Sequence, residues 1–231
     1  MKICLIPARS GSKRIKNKNI KNFFGKPLIS YSISTALKSK IFDRVIVSTD
    51  SKKIKNISLK CGAEVPFLRP KRLSNDYAAD VDVIKHFLNF TKKKEKLKVN
   101  ILCYLYPCSP LLKVSTLKKC ATLISKKNCK RVITVSKLSH PIERVLKRNQ
   151  NQEYNFKNEK YFNTRSQDLK EYYQDAAQCY WYNLRKIKKL KKNKFIKSLA
   201  VILKKHEFYD VDNLEDLKFL KKLFLIRKKI N

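Results

Sequence analysis

Glycine is scarce in this chain: there are 3 glycines among its 231 residues. They do not form the Gly-x-x-x-x-Gly-Lys-Ser/Thr phosphate loop of Walker type, and they do not form the Gly-x-Gly-x-x-Gly dinucleotide fingerprint. Both of these nucleotide-binding motifs are therefore excluded.

Paired cysteines, clustered histidines and long apolar runs are also missing. The 7 cysteines contain no Cys-x-x-Cys pair, and the 3 histidines lie far apart in the sequence. No segment approaches the ~20 apolar residues of a membrane span. The apolar run at the amino terminus is too short for the apolar region of a signal peptide. We therefore expect a cytoplasmic protein with free thiols and no membrane partner.

Acidic residues are few, 18 against 55 lysines and arginines, and the formal net charge is +37. Such a charge is typical of nucleic-acid-binding proteins. Arginine, however, supplies only 11 of the 55 cations, although arginine is preferred for base recognition and for the bidentate binding of phosphate. The lysines are spread along the whole chain, which favours a compositional origin and no nucleic-acid partner.

What is present is an alternation of short apolar runs and amphipathic stretches. The expected strands are 3–8, 44–49, 63–68, 99–106 and 131–136, and the expected helices are 27–39, 51–60, 80–94 and 115–127. This alternation predicts an α/β fold with a mostly parallel central sheet. At this length we expect a single domain over residues 1–231.

The pattern changes after about residue 137. Residues 142–163 indicate a hairpin or an extended arm, and 164–175 a polar loop rich in tyrosine, so that 140–175 forms an arm with a substrate loop. A strand at 178–183, a basic helix near 184–192 and a strand at 199–203 follow. Leucines and a phenylalanine then predict one buried face of a last helix: Leu214, Leu217, Leu220, Leu223 and Phe224.

The loop after the first strand carries the strongest functional signal. It combines Gly11 with two serines and with the cations Arg9, Lys13, Arg14, Lys16 and Lys18. Loops after parallel strands lie at the carboxyl edge of the sheet, where ligands bind. Backbone amides and cations that converge there favour a phosphate site, and a solvated basic turn is the alternative.

Asp210 and Asp212 are two residues apart, so that on an extended segment both carboxylates point to the same side. Such a pair suits a hard divalent cation. Asp212 and Glu215 also have the spacing of a helix capping box, which is a structural alternative. Asp50, at the end of a predicted strand, is interpreted as the cap of the next helix and is left outside the site.

Two segments carry a resemblance to a known family: Ile6-Pro-Ala-Arg-Ser-Gly-Ser-Lys-Arg14 and Asp210-Val-Asp-Asn-Leu-Glu-Asp-Leu217. The chain resembles the CMP-sialic acid synthetase family over nearly its whole length, and most closely the pseudaminic acid branch. The resemblance implies a Rossmann-like nucleotide-diphospho-sugar transferase fold with a small dimerisation arm. It also implies a homodimer, a requirement for Mg²⁺ or another divalent cation, and the joining of CTP to an acidic nine-carbon sugar with release of pyrophosphate.

The resemblance also implies roles for individual residues. Arg9, Lys18 and Asp212 are the implied catalytic residues, and Asp210 and Asp212 the implied metal ligands. The implied nucleotide-binding residues are Ala8, Arg9, Ser10, Gly11, Ser12, Lys13, Lys18, Asn19, Arg69 and Ala78.

At the sugar end, the chain has Tyr106-Pro-Cys-Ser-Pro-Leu-Leu112 where sialic acid members have Gln-Pro-Thr-Ser-Pro-Leu-Arg. This difference argues against ordinary sialic acid. Residues 163–169 and 172–178 resemble signatures of the pseudaminic acid branch, with Gln174 and Ala177 where that branch has histidine and glycine. The implied sugar-binding residues are Tyr106, Ser109, Arg165, Gln167 and Asp175.

Three alternatives to a pseudaminic acid enzyme stay open. The substrate is legionaminic acid, N-acetylneuraminic acid or a shorter 3-deoxy acid in the first. In the second, the chain is a nucleotide-binding paralogue without activity. In the third it is a basic nucleic-acid-binding protein. The last one leaves the first loop and the aspartate pair unexplained.

Overall fold

A computed structural model describes residues 1–192 and 195–230, without the side chains of 228–230. The strands are β1 (Lys2–Pro7), β2 (Asn22–Phe23), β3 (Lys26–Pro27), β4 (Arg44–Ser48), β5 (Ile101–Leu105), β6 (Arg131–Lys137), β7 (Leu146–Arg148), β8 (Tyr154–Phe156), β9 (Tyr173–Asn183) and β10 (Leu199–Leu203). The helices are α1 (Leu28–Ser39), α2 (Lys52–Lys60), α3 (Asp80–Lys94), α4 (Val114–Ser125) and α5 (Leu214–Ile230).

The central sheet has six strands in the order β10-β6-β9-β5-β1-β4. Strand β1 pairs in parallel with β4 and β5, β10 pairs in parallel with β6, and β9 runs antiparallel to both of its neighbours. The predicted α/β fold with a mostly parallel sheet is therefore confirmed. Strands β7 and β8 form a separate antiparallel hairpin, as residues 142–163 predict.

The core surrounds the sheet because the strands are apolar on both faces, as is typical of strands covered by helices. Residues Ile3 to Ile6 of β1 are all fully buried, with Cys4 and Ile6 in one core cluster and Ile3 and Leu5 in another. A third cluster lies beside the first loop and α5, and it contains Ile15, Phe23, Val211 and Leu217. This third cluster fixes the two segments that carry the predicted phosphate and metal residues.

Four details of the predicted elements are wrong. Residues 63–68 do not form a strand and make two single bridges to the edge of the sheet, Ile46 to Glu64 and Thr49 to Leu68. Residues 173–175 belong to β9 and not to a loop. Residues 184–192 form turns and no helix. Leu214, the first residue of α5, is 53% exposed and is not part of the third cluster, whereas Leu217 and Leu220 of the same predicted face are buried in it.

The turns at 184–192 have a physical reason. The backbone N–H of Leu184 donates to the carbonyl of Asn100, which extends the pairing with β5 past the end of β9. Leu184, Ile187 and Leu190 then contact the second core cluster from this turn segment. Tertiary packing therefore uses the apolar residues whose spacing indicated a helix.

Within the described part of the chain, the helices are all too short or too polar to cross a lipid bilayer.

Candidate active site

A cavity of about 580 Å³ lies at the carboxyl ends of β1 and β5. Its walls come from the first loop, residues 69–83, the segment after β5, the middle of β9 and the segment before α5. The following predicted site residues line it: Arg9, Ser12, Lys13, Lys18, Asn19, Arg69, Ala78, Tyr106, Ser109, Asp210 and Asp212. The structure therefore brings most of the predicted residues together in one cavity.

The start of the first loop is fixed by a carboxylate that the sequence did not indicate. The backbone N–H and the hydroxyl of Ser10 donate to the two oxygens of Asp50, at 2.9 and 2.6 Å. The predicted capping role of Asp50 is wrong, because Ser51 accepts the hydrogen bond from Ile54 at the start of α2. The available signal was the position of Asp50 after β4, since β4 is parallel to β1 and both end at the same edge.

Three predicted nucleotide-binding residues lie outside the cavity lining within the described chain, namely Ala8, Ser10 and Gly11. Ala8 is fully buried and its N–H donates to the carbonyl of Ser48. Ser10 uses its backbone N–H on Asp50. Their contribution to nucleotide binding stays a prediction. In this structure Ala8 and Ser10 connect the start of the loop to Ser48 and Asp50.

Asp50→Ala is expected to weaken CTP binding about tenfold. The substitution removes both acceptors of Ser10, and each lost hydrogen bond to a charged group is worth about 1.5–3 kcal/mol, part of which the freed loop loses in nucleotide affinity. Titration of CTP by calorimetry measures the effect. Ser51→Ala, which removes the cap of α2 next to it, serves as the control and is expected to leave the CTP affinity within about twofold. Equal affinities of the Asp50 variant and the wild type would contradict this role.

The cations of the loop are paired with a second carboxylate. Arg9 Nη1 and Lys13 Nζ lie 2.6 and 2.7 Å from the two oxygens of Asp76. Lys13 and then Arg9, through their hydrogen bonds, hold the pKa of Asp76 below its usual value. The Asp76 carboxylate lines the cavity and takes up charge that the loop otherwise offers to an anionic ligand.

Lys18 and Asn19 connect the loop to its surroundings. Lys18 Nζ donates to the carbonyl of Val211, between the two predicted metal ligands. Asn19 donates to the carbonyl of Arg9 at 2.8 Å and accepts from the thiol of Cys108 at 3.2 Å. Burial raises the pKa of the Cys108 thiol to about 12, so this donor keeps its proton at neutral pH. Lys18 and Asn19 therefore connect the loop to the segment before α5 and to the segment after β5, and Asn19 also ties the end of the loop to its start.

Asp210 and Asp212 lie on either side of Val211, which is 1% exposed and anchored in the third core cluster. Both aspartates line the cavity. Asp212 Oδ1 lies 2.7 Å from Nη2 of Arg14, and Asp210 Oδ1 accepts from the N–H of Val211 at 2.9 Å.

The helix cap is one residue further along than the sequence indicated. Asp216 N–H donates to Asn213 Oδ1, and Asn213 N–H donates to Asp216 Oδ2, both at 2.9 Å. This reciprocal pair is the capping box of α5. The alternative capping role of the Asp212 carboxylate is therefore wrong, and its Oδ1 pairs with Arg14 instead.

The second wall of the cavity contains two of the predicted nucleotide-binding residues, Arg69 and Ala78. Arg69 is 4% exposed, and its Nε donates to the hydroxyl of Ser74 at 3.0 Å. Desolvation lowers the pKa of Arg69, and the nearby Tyr104 and Asp50 oppose that shift. The N–H of Ala78 donates to Asn75 Oδ1 at 2.9 Å. A buried arginine at the cavity wall is costly unless it has partners, and a planar polar ligand offers them.

A tyrosine network forms the third wall. Tyr104 and Tyr106 donate to the two oxygens of Asp80, the first residue of α3, at 2.8 and 2.7 Å. Tyr106 packs edge-on against Tyr180 with 5.6 Å between ring centroids. Burial and then the charge of Asp80 raise the pKa of Tyr106, so its hydroxyl stays protonated. Asp80 was not predicted as a site residue; the available signal was its position at the start of a predicted helix, with Tyr104 on β5 and Tyr106 directly after that strand.

Ser109 and Asp175 have different positions relative to the cavity. Ser109 is 6% exposed, lines the cavity, and donates its N–H to the hydroxyl of Ser32 at 3.3 Å. Asp175 stands outside the lining and accepts from the Tyr180 hydroxyl at 2.8 Å. In this structure Asp175 holds the hydroxyl of Tyr180, the ring that packs against Tyr106.

Arg165 and Gln167 are not brought into the cavity of this chain. They flank and occupy a short 3₁₀ turn, Ser166–Asp168, and both are exposed. Their predicted contact with the sugar acid is not made within the described single chain, and it stays a prediction.

Ala177 adopts a backbone angle φ of +45° at an irregularity of the pairing between β6 and β9. Positive φ costs an L-residue about 1–2 kcal/mol. Glycine avoids this cost, but it loses more chain entropy on folding, which offsets part of the gain. Ala177→Gly is therefore expected to raise the free energy of unfolding by about 0.5–1 kcal/mol. Denaturant unfolding measures it. Ala176→Gly, at the neighbouring position, which does not share the positive φ, is the control and is expected to lower stability.

These observations first define a class: an α/β protein in which a basic loop after β1, a buried arginine and a pair of aspartates line one cavity at the edge of the sheet. Solved structures share the fold. A CMP:2-keto-3-deoxy-manno-octonic acid synthetase complexed with CTP superposes with a TM-score of 0.70 at 15% identity, over 98% of this chain and 100% of that one. A cytidylyltransferase from Leptospira borgpetersenii gives 0.59 at 17% identity, over 96% and 85%.

The sequence then shows the family. Residues 3–230 match the family described as cytidylyltransferase. A pseudaminic acid cytidylyltransferase of Campylobacter jejuni is 37% identical over 226 residues, which are 97% of this chain and 96% of the relative. A CMP-N,N'-diacetyllegionaminic acid synthase of Legionella pneumophila is 38% identical over 139 residues, 59% of this chain and 58% of the relative. The chain belongs to the cytidylyltransferase family, and the predicted family is confirmed.

Proposed function

We propose that the chain transfers CMP from CTP to a nonulosonic acid of the pseudaminic type and releases pyrophosphate. The observation that carries the proposal is the 37% identity to a pseudaminic acid cytidylyltransferase over nearly the full length of both chains. A second such relative from Campylobacter jejuni is 35% identical over the same span. The legionaminic relative matches 59% of the chain, so the pseudaminic substrate is favoured.

The reaction forms a bond between the sugar hydroxyl and the α-phosphorus of CTP and breaks the bond to the β-phosphate. Negative charge develops on the leaving pyrophosphate, and fixed cations in a cavity stabilise it most effectively. We assign this task to Arg9, Lys13 and Lys18. Arg69 and the backbone at Ala78 are assigned to cytosine, and Tyr106 and Ser109 to the sugar.

Asp210 and Asp212 are the proposed ligands of Mg²⁺ or another divalent cation. In the described residues, histidine, cysteine and carboxylate side chains do not gather in groups of three or more that could hold a metal. A pair of carboxylates nevertheless fits magnesium, which is usually bound by one or two carboxylates together with substrate phosphates and water. When bound, the ion would neutralise charge on the phosphates.

A homodimer is the proposed assembly. The hairpin of β7 and β8 and the segment after it expose a group of apolar side chains: Val145, Leu146, Tyr154, Phe162 and Tyr172. Burial of such a group by a second copy is favourable, and the exposed Arg165 would then be near the partner. Sedimentation equilibrium is expected to give twice the chain mass, and a Leu146→Glu/Phe162→Glu variant a single chain. A wild type that sediments as a monomer at high concentration would contradict the proposal.

The seven cysteines are all free thiols in the structure, which supports a reducing compartment, and we propose the cytoplasm.

The test of the function is release of pyrophosphate from CTP and Mg²⁺ with pseudaminic, legionaminic or N-acetylneuraminic acid. Release with pseudaminic acid above the other two is the expected result, and chelation of the metal is expected to stop it. Preference for another acid would keep the reaction and correct the substrate. CTP binding without release with any acid would indicate a nucleotide-binding paralogue instead.

A further inference from the structure

Gln178 on β9 has an unusual combination of contacts for a buried amide. Its side chain is 4% exposed and it lines the cavity. Its Nε2 donates to the carbonyl of Glu207 at 2.7 Å. Its Oε1 is buried and has no hydrogen-bond partner among the described residues. A buried acceptor without a donor is destabilising, and a ligand that supplies the donor would remove this cost.

The orientation of this amide is fixed by its partner. The Glu207 carbonyl accepts only, so the nitrogen must face it and the oxygen must face the other way. The backbone carbonyl of Gln178 also accepts from the N–H of Tyr106 at 2.9 Å, which fixes the main chain. Gln178 is therefore a fixed amide at the cavity lining, with its nitrogen held by Glu207 and its oxygen directed away from that carbonyl.

The backbone strain at Ala177, directly before Gln178, bears on the direction of the Gln178 side chain. The pairing of β6 and β9 shifts register between Ile133 and Val135, and Ala177 in that region has φ of +45°. Such irregularities re-aim side chains and are frequent next to active sites. The cost of Ala177 is consistent with a requirement on where the next side chain points.

The position of Gln178 indicates which substrate it meets. It lies between Tyr106, which is assigned to the sugar, and the segment from Glu207 to the aspartates Asp210 and Asp212. The triphosphate of CTP has acceptor oxygens only at neutral pH and cannot supply a donor. The donors of CTP are its ribose hydroxyls and its cytosine amino group, and cytosine is assigned to the wall of Arg69 and Ala78. An acidic sugar has hydroxyl groups and, in acylamino sugars, amide N–H groups. We propose that Gln178 Oε1 accepts a hydrogen bond from a hydroxyl or acylamino N–H of the acceptor sugar and so contributes to its selection; this rests on the proposed function.

The test uses direct titration of the three acids into the CTP-loaded protein without divalent metal, so that turnover does not interfere. Gln178→Met keeps the size of the side chain and removes the acceptor. We expect it to weaken binding of the preferred acid at least tenfold while the Kd for CTP stays within about twofold. Gln178→Asn retains the amide but withdraws the oxygen by one methylene, and it is expected to weaken binding as well.

Asn183, on the same strand, is the matched control. It is 6% exposed, its Nδ2 donates to the carbonyl of Ile124, its Oδ1 is also without a partner among described residues, and it lies outside the cavity lining. Asn183→Leu is expected to leave the affinity for the acid unchanged, with circular dichroism confirming that each variant is folded.

Three outcomes would overturn the inference. They are unchanged affinity for the acid in both Gln178 variants, an equal loss in Asn183→Leu, and absence of binding of all three acids to the wild type. Pyrophosphate release by the wild type judges the proposed function separately. An active wild type with an unaffected Gln178→Met variant would refute the inference alone.

Discussion

Asp212→Ala is expected to lower the rate of pyrophosphate release by about 10³-fold or more. Removal of one preorganised charge that acts on the transition state typically costs 10²–10³-fold, and loss of the ion would remove several such contacts at once. Val211 is buried between the two aspartates, so the backbone is expected to keep its position in the variant. Steady-state kinetics with CTP and pseudaminic acid measure the loss, and Mn²⁺ binding followed by electron paramagnetic resonance gives a readout that does not depend on activity.

The ion pair of Asp212 provides the decisive control. Asp212 Oδ1 lies 2.7 Å from Nη2 of Arg14. If Asp212 served only to hold Arg14, then Arg14→Ala would have the same effect as Asp212→Ala. If it holds a metal, Arg14→Ala is expected to leave Mn²⁺ affinity equal or tighter, since a competing cation is gone. Glu215→Gln, at an exposed carboxylate nearby, is expected to change neither quantity. Undiminished Mn²⁺ binding by Asp212→Ala would contradict the proposed metal site.

The sequence was most informative where local pattern and tertiary structure agree. The apolar run before Pro7 and the cations after it predicted a strand followed by a ligand loop. The structure confirms the strand, and residues of the loop line the cavity; ligand binding by the loop stays a prediction. The spacing of Asp210 and Asp212 predicted two carboxylates on one side. The structure adds the reason, because Val211 between them is held in the core.

What the sequence could not provide depends on contacts between distant segments. Asp50 and Asp76 lie 40 and 67 positions from the loop residues that they bind. Charge alone does not single them out, since aspartates at strand ends and in loops are ordinary capping residues. The capping box of α5 lies one residue after the pair that the sequence indicated. Both pairs, Asp212 with Glu215 and Asn213 with Asp216, have the same spacing. Only backbone geometry selects between the two pairs.

Arg9→Ala and Asp76→Asn are expected to shift CTP affinity in opposite directions. Arg9 Nη1 lies 2.6 Å from Asp76, in a cavity whose proposed ligand is a triphosphate. Loss of the arginine is expected to weaken CTP binding and to reduce kcat/KM about 10²–10³-fold, because a charge-assisted phosphate contact disappears. Loss of the negative charge at Asp76 frees Arg9 and Lys13 for the phosphates. We therefore expect Asp76→Asn to bind CTP about threefold more tightly, a modest gain because exposed ion pairs are weak.

Changes of opposite sign in CTP affinity would not arise from a purely structural ion pair. If the pair only held the loop in place, removing either partner would disturb the loop and weaken CTP binding. Salt provides an independent check. The Asp76 carboxylate is exposed, so added salt screens its pairing with Arg9 and Lys13, and the advantage of Asp76→Asn is expected to shrink as ionic strength rises. Lys137→Ala, which breaks the exposed pair with Glu171 outside the cavity, is the control and is expected to leave CTP affinity unchanged. Weaker CTP binding by both Arg9→Ala and Asp76→Asn would assign the pair to loop structure, and the phosphate contact would then have to come from Lys13 and Lys18.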